Sequence, residues 1–112
     1  MASMKLRVRG GKIVVATCYV PHNRMPVAER NTMFAEFGSF LHRQSRHRPL
    51  FVLVDVNARL HRRFPGEQRI IGNHVFGNPQ AQSNAKSNRN LLVELCSSHR
   101  LVIVNTFFDE AP

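Results

Sequence analysis

Tryptophan is missing from this chain, tyrosine occurs once, and acidic residues are scarce, with 7 Asp and Glu against 16 Lys and Arg. The formal charge of +9 and an isoelectric point near 11.3 favour a polyanionic partner, most often nucleic acid. A solvated basic surface or a basic localisation signal stays open on charge alone. No carboxylate occurs before Glu29, so residues 1–28 offer no acidic metal ligand or general base. No apolar run approaches the roughly 18 residues of a membrane span, so no membrane partner is expected. The opening MASMKLRVRGGK lacks the apolar core of a signal peptide. Cys18 and Cys96 lie in apolar segments without a CxxC, and read as buried thiols in a reducing compartment. Together these absences suggest an intracellular setting, with the nucleus as the expectation for a DNA-binding chain. His22, His42, His47, His61, His74 and His99 have no zinc-like spacing. A P-loop, a Ser/His/Asp elbow, an internal repeat and a low-complexity tract are likewise absent.

What is present is a patterned α/β chain. At 112 residues and 43% hydrophobic it is long enough to bury one core. Lys5 to Arg9 alternates weakly as a short strand, turned by Gly10-Gly11 into Ile13 to Val20, a β-branched core strand. Pro26 suits the first turn of a helix within Val27 to Gln44, whose Met33, Phe34, Phe37, Phe40 and Leu41 make one apolar face. Leu50 to Val54 reads as a strand buried on both faces. Ala58 to Lys86 shows little periodicity, and loops of that length are often functional. Ser87 predicts the N-cap of a helix over Asn88 to Ser98 with Leu91, Leu92 and Leu95 inward. Leu101 to Val104 predicts a last short strand. This order implies helices layered on a sheet.

Asp55 and Asn57 stand where that central strand, LFVLVDVNARL, leaves the core. Alternation puts both on one side of the strand, with Val54 and Val56 on the other. Two readings stay open on these residues alone: a strand end that starts a turn, or a polar pair at the carboxyl end of a strand, where open α/β folds place their sites. Arg59, Arg62 and Arg63 follow within a few residues. They are phosphate contacts or a solvated loop.

Three segments in order, IVVATCYVPHN, LFVLVDVNARL and NLLVELCSSHRLVIVNTFF, resemble the endonuclease/exonuclease/phosphatase superfamily. The pattern is most similar to the apurinic/apyrimidinic endonuclease-like domains of LINE-type non-LTR retrotransposons, over about residues 12–108. The loop Ile71-Gly72-Asn73-His74-Val75-Phe76-Gly77 fits too. The resemblance implies that residues 1–112 are the central part of a four-layer, two-sheet α/β (α+β layered) sandwich. It implies hydrolysis of DNA phosphodiesters with Mg²⁺ or Mn²⁺, in a retroelement-derived endonuclease. On this match Asp55 orients or deprotonates the attacking water, Asn57 binds a phosphate oxygen or the metal shell, and Tyr19 contacts the phosphate. Asp55 and Asn57 would be the contributors to a second-ion shell, and His22, Asn23 and Arg24 join Arg59, Arg62 and Arg63 along the nucleic acid.

Departures from the pattern are also legible. Val54 replaces the Gly before the Asp, Val56 a commoner Phe or Leu, His22 an Asn, and Ser87-Asn88 an Asn-Gly. The family's metal-binding Glu before the Tyr strand, its later Asp and its Ser-Asp-His motif have no counterpart, since no acid precedes Glu29 and no His follows His99. The alternative reading is therefore a basic nucleic-acid-binding remnant of such a domain, without turnover.

Overall fold

Nine residues rich in Val, Ile and Thr form the centre of a three-stranded sheet in the computed structural model, which describes residues 1–19, 24–44, 49–55, 58–75, 77 and 87–109. The chain divides into two units, Met1–Asn57 and Ala58–Pro112. It is a mixed α and β protein, and no helix among the described residues is long and apolar enough to cross a membrane.

In the first unit, β1 (Ala2–Val8) and β2 (Gly11–Tyr19) form an antiparallel hairpin in which Val8 faces Gly11. Gly10 makes this tight turn with φ of 96°, a value L side chains avoid. The first strand is longer than the alternation of Lys5 to Arg9 predicts, because the pairing of the hairpin carries it back to Ala2. After β2 the chain crosses through α1 (Val27–His42) to β3 (Leu50–Asp55), which pairs parallel to β2. A parallel pair requires such a crossover, and it lays its helix over one face of the sheet.

Two buried sets supply the core of this unit. On β2, Val14 and Ala16 share one face and are sealed from solvent. On α1, Arg30, Phe34, Phe37 and Leu41 recur at helical spacing and are buried, while Met33 and Phe40 are half-buried. Each fully buried Phe or Leu contributes about 1.5–3 kcal/mol. The Arg30 side chain carries a charge into this stripe and donates from Nε to the Met25 carbonyl at 3.0 Å. Pro26 sits one position earlier than expected, at the N-cap, with no side-chain cap.

The opposite face of the sheet is open, and this corrects the expectation for the central strand. β3 alternates between half-buried Leu50, Val52 and Val54 and exposed Phe51, Leu53 and Asp55, with Leu53 at 65% exposure. The strand order β1-β2-β3 makes β3 an edge, covered on one side only, so its unbroken apolar run does not mean double burial. Register extends the open face across all three strands. Val15 pairs with both Met4 and Phe51, Ile13 with Leu6, and Thr17 with Leu53.

The second unit is held by individual contacts more than by ladders. α2 (Asn88–His99) begins at Ser87, whose Oγ accepts from the Asn90 amide at 3.4 Å, as the cap pattern predicts. Leu92, Leu95 and Cys96 are buried along it and Leu91 is half-buried. The helix ends on Arg100 in the left-handed conformation, and the Leu101 amide donates to the Cys96 carbonyl.

The expected strand at Leu101 to Val104 is instead a single parallel bridge, Ile71 to Ile103, running into a 3-10 turn at Val104–Thr106. Thr106 is the reason. Its hydroxyl donates to the Ile103 carbonyl at 2.7 Å and accepts from the Gly72 amide at 2.7 Å, and its carbonyl accepts from the His74 amide. These bonds take the backbone partners a continuing strand would need. Gly72 is required at this knot, because a β-carbon there would stand 2.2 Å from the Thr106 carbonyl oxygen.

Candidate active site and nucleic-acid interface

Tyr19 closes β2 and Asp55 closes β3, and the parallel register sets them directly opposite one another. Paired residues of adjacent strands project from the same face, with backbones about 4.8 Å apart. That face is the open one: Tyr19 is 62% exposed and Asp55 is exposed. Position is dictated by the strands. The β-branched run of β2 carries Tyr19 to its carboxyl end, and the apolar run of β3 does the same for Asp55. A carboxylate and a phenol side by side are a proton acceptor and a neutral donor, the two groups that activate a water and hold an anionic oxygen.

Of the other expected site residues, Asn57, His22 and Asn23 lie outside the described residues, as does Val56. Arg24 is exposed just before α1 in the same unit as the pair. Arg59, Arg62 and Arg63 belong to the second unit and are all exposed. Arg63 donates from Nη1 to the Ile71 carbonyl at 3.4 Å. Arg62 places its guanidinium carbon 4.3 Å from the centre of the Phe64 ring.

Around Phe64 the structure builds a cluster that periodicity does not announce. Arg89, buried in the first turn of α2, also lies over the Phe64 ring at 4.5 Å. It grips both carboxylate oxygens of Glu67, donating from Nη1 to Oε2 at 2.6 Å and from Nη2 to Oε1. Nη2 also donates to the Arg62 carbonyl at 3.0 Å, and Nη1 to Asn90 Oδ1 at 2.9 Å. Glu67 accepts in addition from the Phe64 amide at 2.7 Å. Burial opposes ionisation of Glu67. The hydrogen bonds from Arg89 and Phe64, with the Arg89 charge, outweigh it and hold the carboxyl below the usual range.

The sequence reading missed this cluster, and one signal could have found it. A cation in the first turn of a helix runs against the helix dipole, so Arg89 needs a partner to sit there.

Cys18 and Cys96 are both free cysteines. Burial pushes Cys96 up to about 11, and burial also raises Cys18, partly offset by the terminal amine. His61 has a buried Nδ1 with no hydrogen-bond partner among the described residues, facing the Gly77 backbone.

Asp55 supplies one carboxylate at the strand ends, and no group of three His, Cys, Asp or Glu gathers among the described residues. Magnesium takes an octahedral shell of oxygens, commonly one or two carboxylates with water and phosphate. The described residues therefore do not form the ion's cage by themselves. Compared with known proteins, the chain matches no family model, no curated protein and no solved structure.

Proposed function

We propose that this chain carries part of a nucleic-acid phosphodiesterase, with Asp55 and Tyr19 acting on one scissile phosphate. The observation that supports this reading most strongly is the register neighbour pair at the carboxyl ends of two parallel strands, on an open sheet face. Asp55 accepts the proton of a water as its oxygen bonds to phosphorus, the bridging P–O bond on the opposite side breaks, the departing sugar oxygen takes a proton from solvent, and the Tyr19 hydroxyl donates to a non-bridging oxygen. Such a base supplies on the order of 10²–10⁴-fold.

The charge of +9 favours DNA, and the sequence pattern resembles retroelement endonucleases that use Mg²⁺. In that architecture the apolar face of Met4, Leu6, Phe51 and Leu53 is the surface on which a second sheet packs, giving the four-layer sandwich.

A second reading has its own observation. Lys and Arg outnumber Asp and Glu by 16 to 7, a balance that suits a basic module binding nucleic acid without cutting it. Nicking of supercoiled plasmid in Mg²⁺, with and without EDTA, separates the two. The hydrolytic reading expects EDTA-sensitive nicking that Asp55→Ala reduces by on the order of 10²-fold or more with little change in DNA affinity. Salt-sensitive binding with no nicking selects the second reading.

A further inference from the structure

Of Arg59, Arg62 and Arg63, Arg62 is held at both ends by contacts among the described residues. The Arg62 backbone is tied through its carbonyl to Arg89 Nη2 at 3.0 Å, and its guanidinium lies over the Phe64 ring at 4.3 Å. Phe64 is fixed in turn, since its amide donates to Glu67 at 2.7 Å and Arg89 lies over the same ring. Arg89 and Glu67 neutralise one another in a largely buried pair. The charge that this cluster shows to solvent is therefore carried by exposed Arg62 and its exposed neighbour Arg63.

An arginine normally loses much side-chain freedom when it grips an anion, and a guanidinium already stacked on a ring has surrendered part of it beforehand. Contact with the ring face at 4.3 Å does not spend the guanidinium's N–H donors, which can then serve the fork that matches two phosphate oxygens.

We infer that Arg62 is a preorganised contact to the phosphodiester backbone of nucleic acid, with Phe64, Arg89 and Glu67 as positioning residues. The inference rests on the nucleic-acid reading above and assigns it a particular anchor. A backbone contact of this kind is insensitive to base sequence and contributes to salt dependence in proportion to the phosphates engaged.

The test is fluorescence anisotropy of the full chain with a labelled 20-base-pair duplex, titrated across salt concentrations. The wild-type chain should bind with affinity that falls steeply with salt. Arg62→Ala should weaken binding severalfold and lower the magnitude of the log–log salt slope by about one. Arg62→Lys keeps the charge and loses the planar fork, so it should fall between the two. Phe64→Leu leaves every charge in place, yet should weaken binding in the same direction as Arg62→Ala. Arg69→Ala, an exposed arginine with no place in the cluster, controls for net charge and should change binding less than Arg62→Ala. If Arg62→Ala keeps the wild-type slope and affinity, or matches Arg69→Ala, the anchor is wrong while nucleic-acid binding stands. If the wild-type chain shows no salt-dependent binding at all, the functional reading fails and the anchor fails with it.

Discussion

The two units of this chain hold themselves together in different ways. In Met1–Asn57 the structure is a repeat of simple periods, two residues along each strand and roughly three and a half along α1, and apolar burial follows those periods. In Ala58–Pro112 the framework is α2 and a few specific polar contacts: Arg89 with Glu67, and Thr106 with Gly72 and Ile103. The first design is redundant, since many similar contacts share the load. The second concentrates it, so that single side chains decide whether a long connecting segment has a structure. The candidate chemistry divides along the same line, with the Tyr19–Asp55 pair on strand ends and the Arg62 anchor on a loop pinned by an ion pair.

Breaking that pin should give the largest effect. Arg89→Leu leaves the Glu67 carboxylate buried without its cation, and should cost about 3–5 kcal/mol, read as lost hydrogen-exchange protection at α2 amides. An unchanged α2 would mean that the ion pair is not what holds this unit.

Phe37→Ala should cost the first unit a comparable amount, about 3–5 kcal/mol, read at the amides of β2. Leu53→Ser, on the open face of the same sheet, should change stability by no more than about 0.5 kcal/mol. A large loss from Leu53→Ser would show that something covers that face in solution.

Acid sharpens the contrast further. Glu67 is held below the usual carboxylate range when folded. Its contribution is therefore fully present above its unfolded pKa of about 4.3 and is lost as pH falls through the lower folded value. Thermal melts from pH 6 downward, in steps of about 0.5, should show this loss, and Glu67→Gln should flatten it. The smallest effect is expected at Arg100. Arg100→Gly relieves a left-handed residue with φ of 55° and should add at most about 1 kcal/mol, measured by chemical denaturation.

Sequence reading located most of the first unit and less of the second, for physical reasons. The apolar run of β3, the Phe-rich stripe of α1 and the Ser87 cap each use a short-range rule, and each appears in the structure. The same rules misjudged the face of β3, because an apolar run does not record whether a neighbouring layer is present. They also extended a strand through Val104, because the competing hydroxyl of Thr106 acts across more than thirty residues of sequence on Gly72. Tyr19 and Asp55 were legible as strand-end residues, and register then made them neighbours. Phe64, Glu67 and Arg89 were not, since a cation–π contact and an ion pair 22 residues apart leave no periodic trace.

Whether Asp55 and Tyr19 act together on one phosphate is decided by a double-mutant cycle on plasmid nicking. Rates for the wild-type chain, Asp55→Ala, Tyr19→Phe and the double variant would be compared at one Mg²⁺ concentration. Joint action on one phosphate predicts a loss on the order of 10²-fold or more for Asp55→Ala, a smaller loss for Tyr19→Phe, and a double variant scarcely worse than Asp55→Ala alone. Wild-type nicking by Asp55→Ala, or fully additive losses from the two positions, would contradict it.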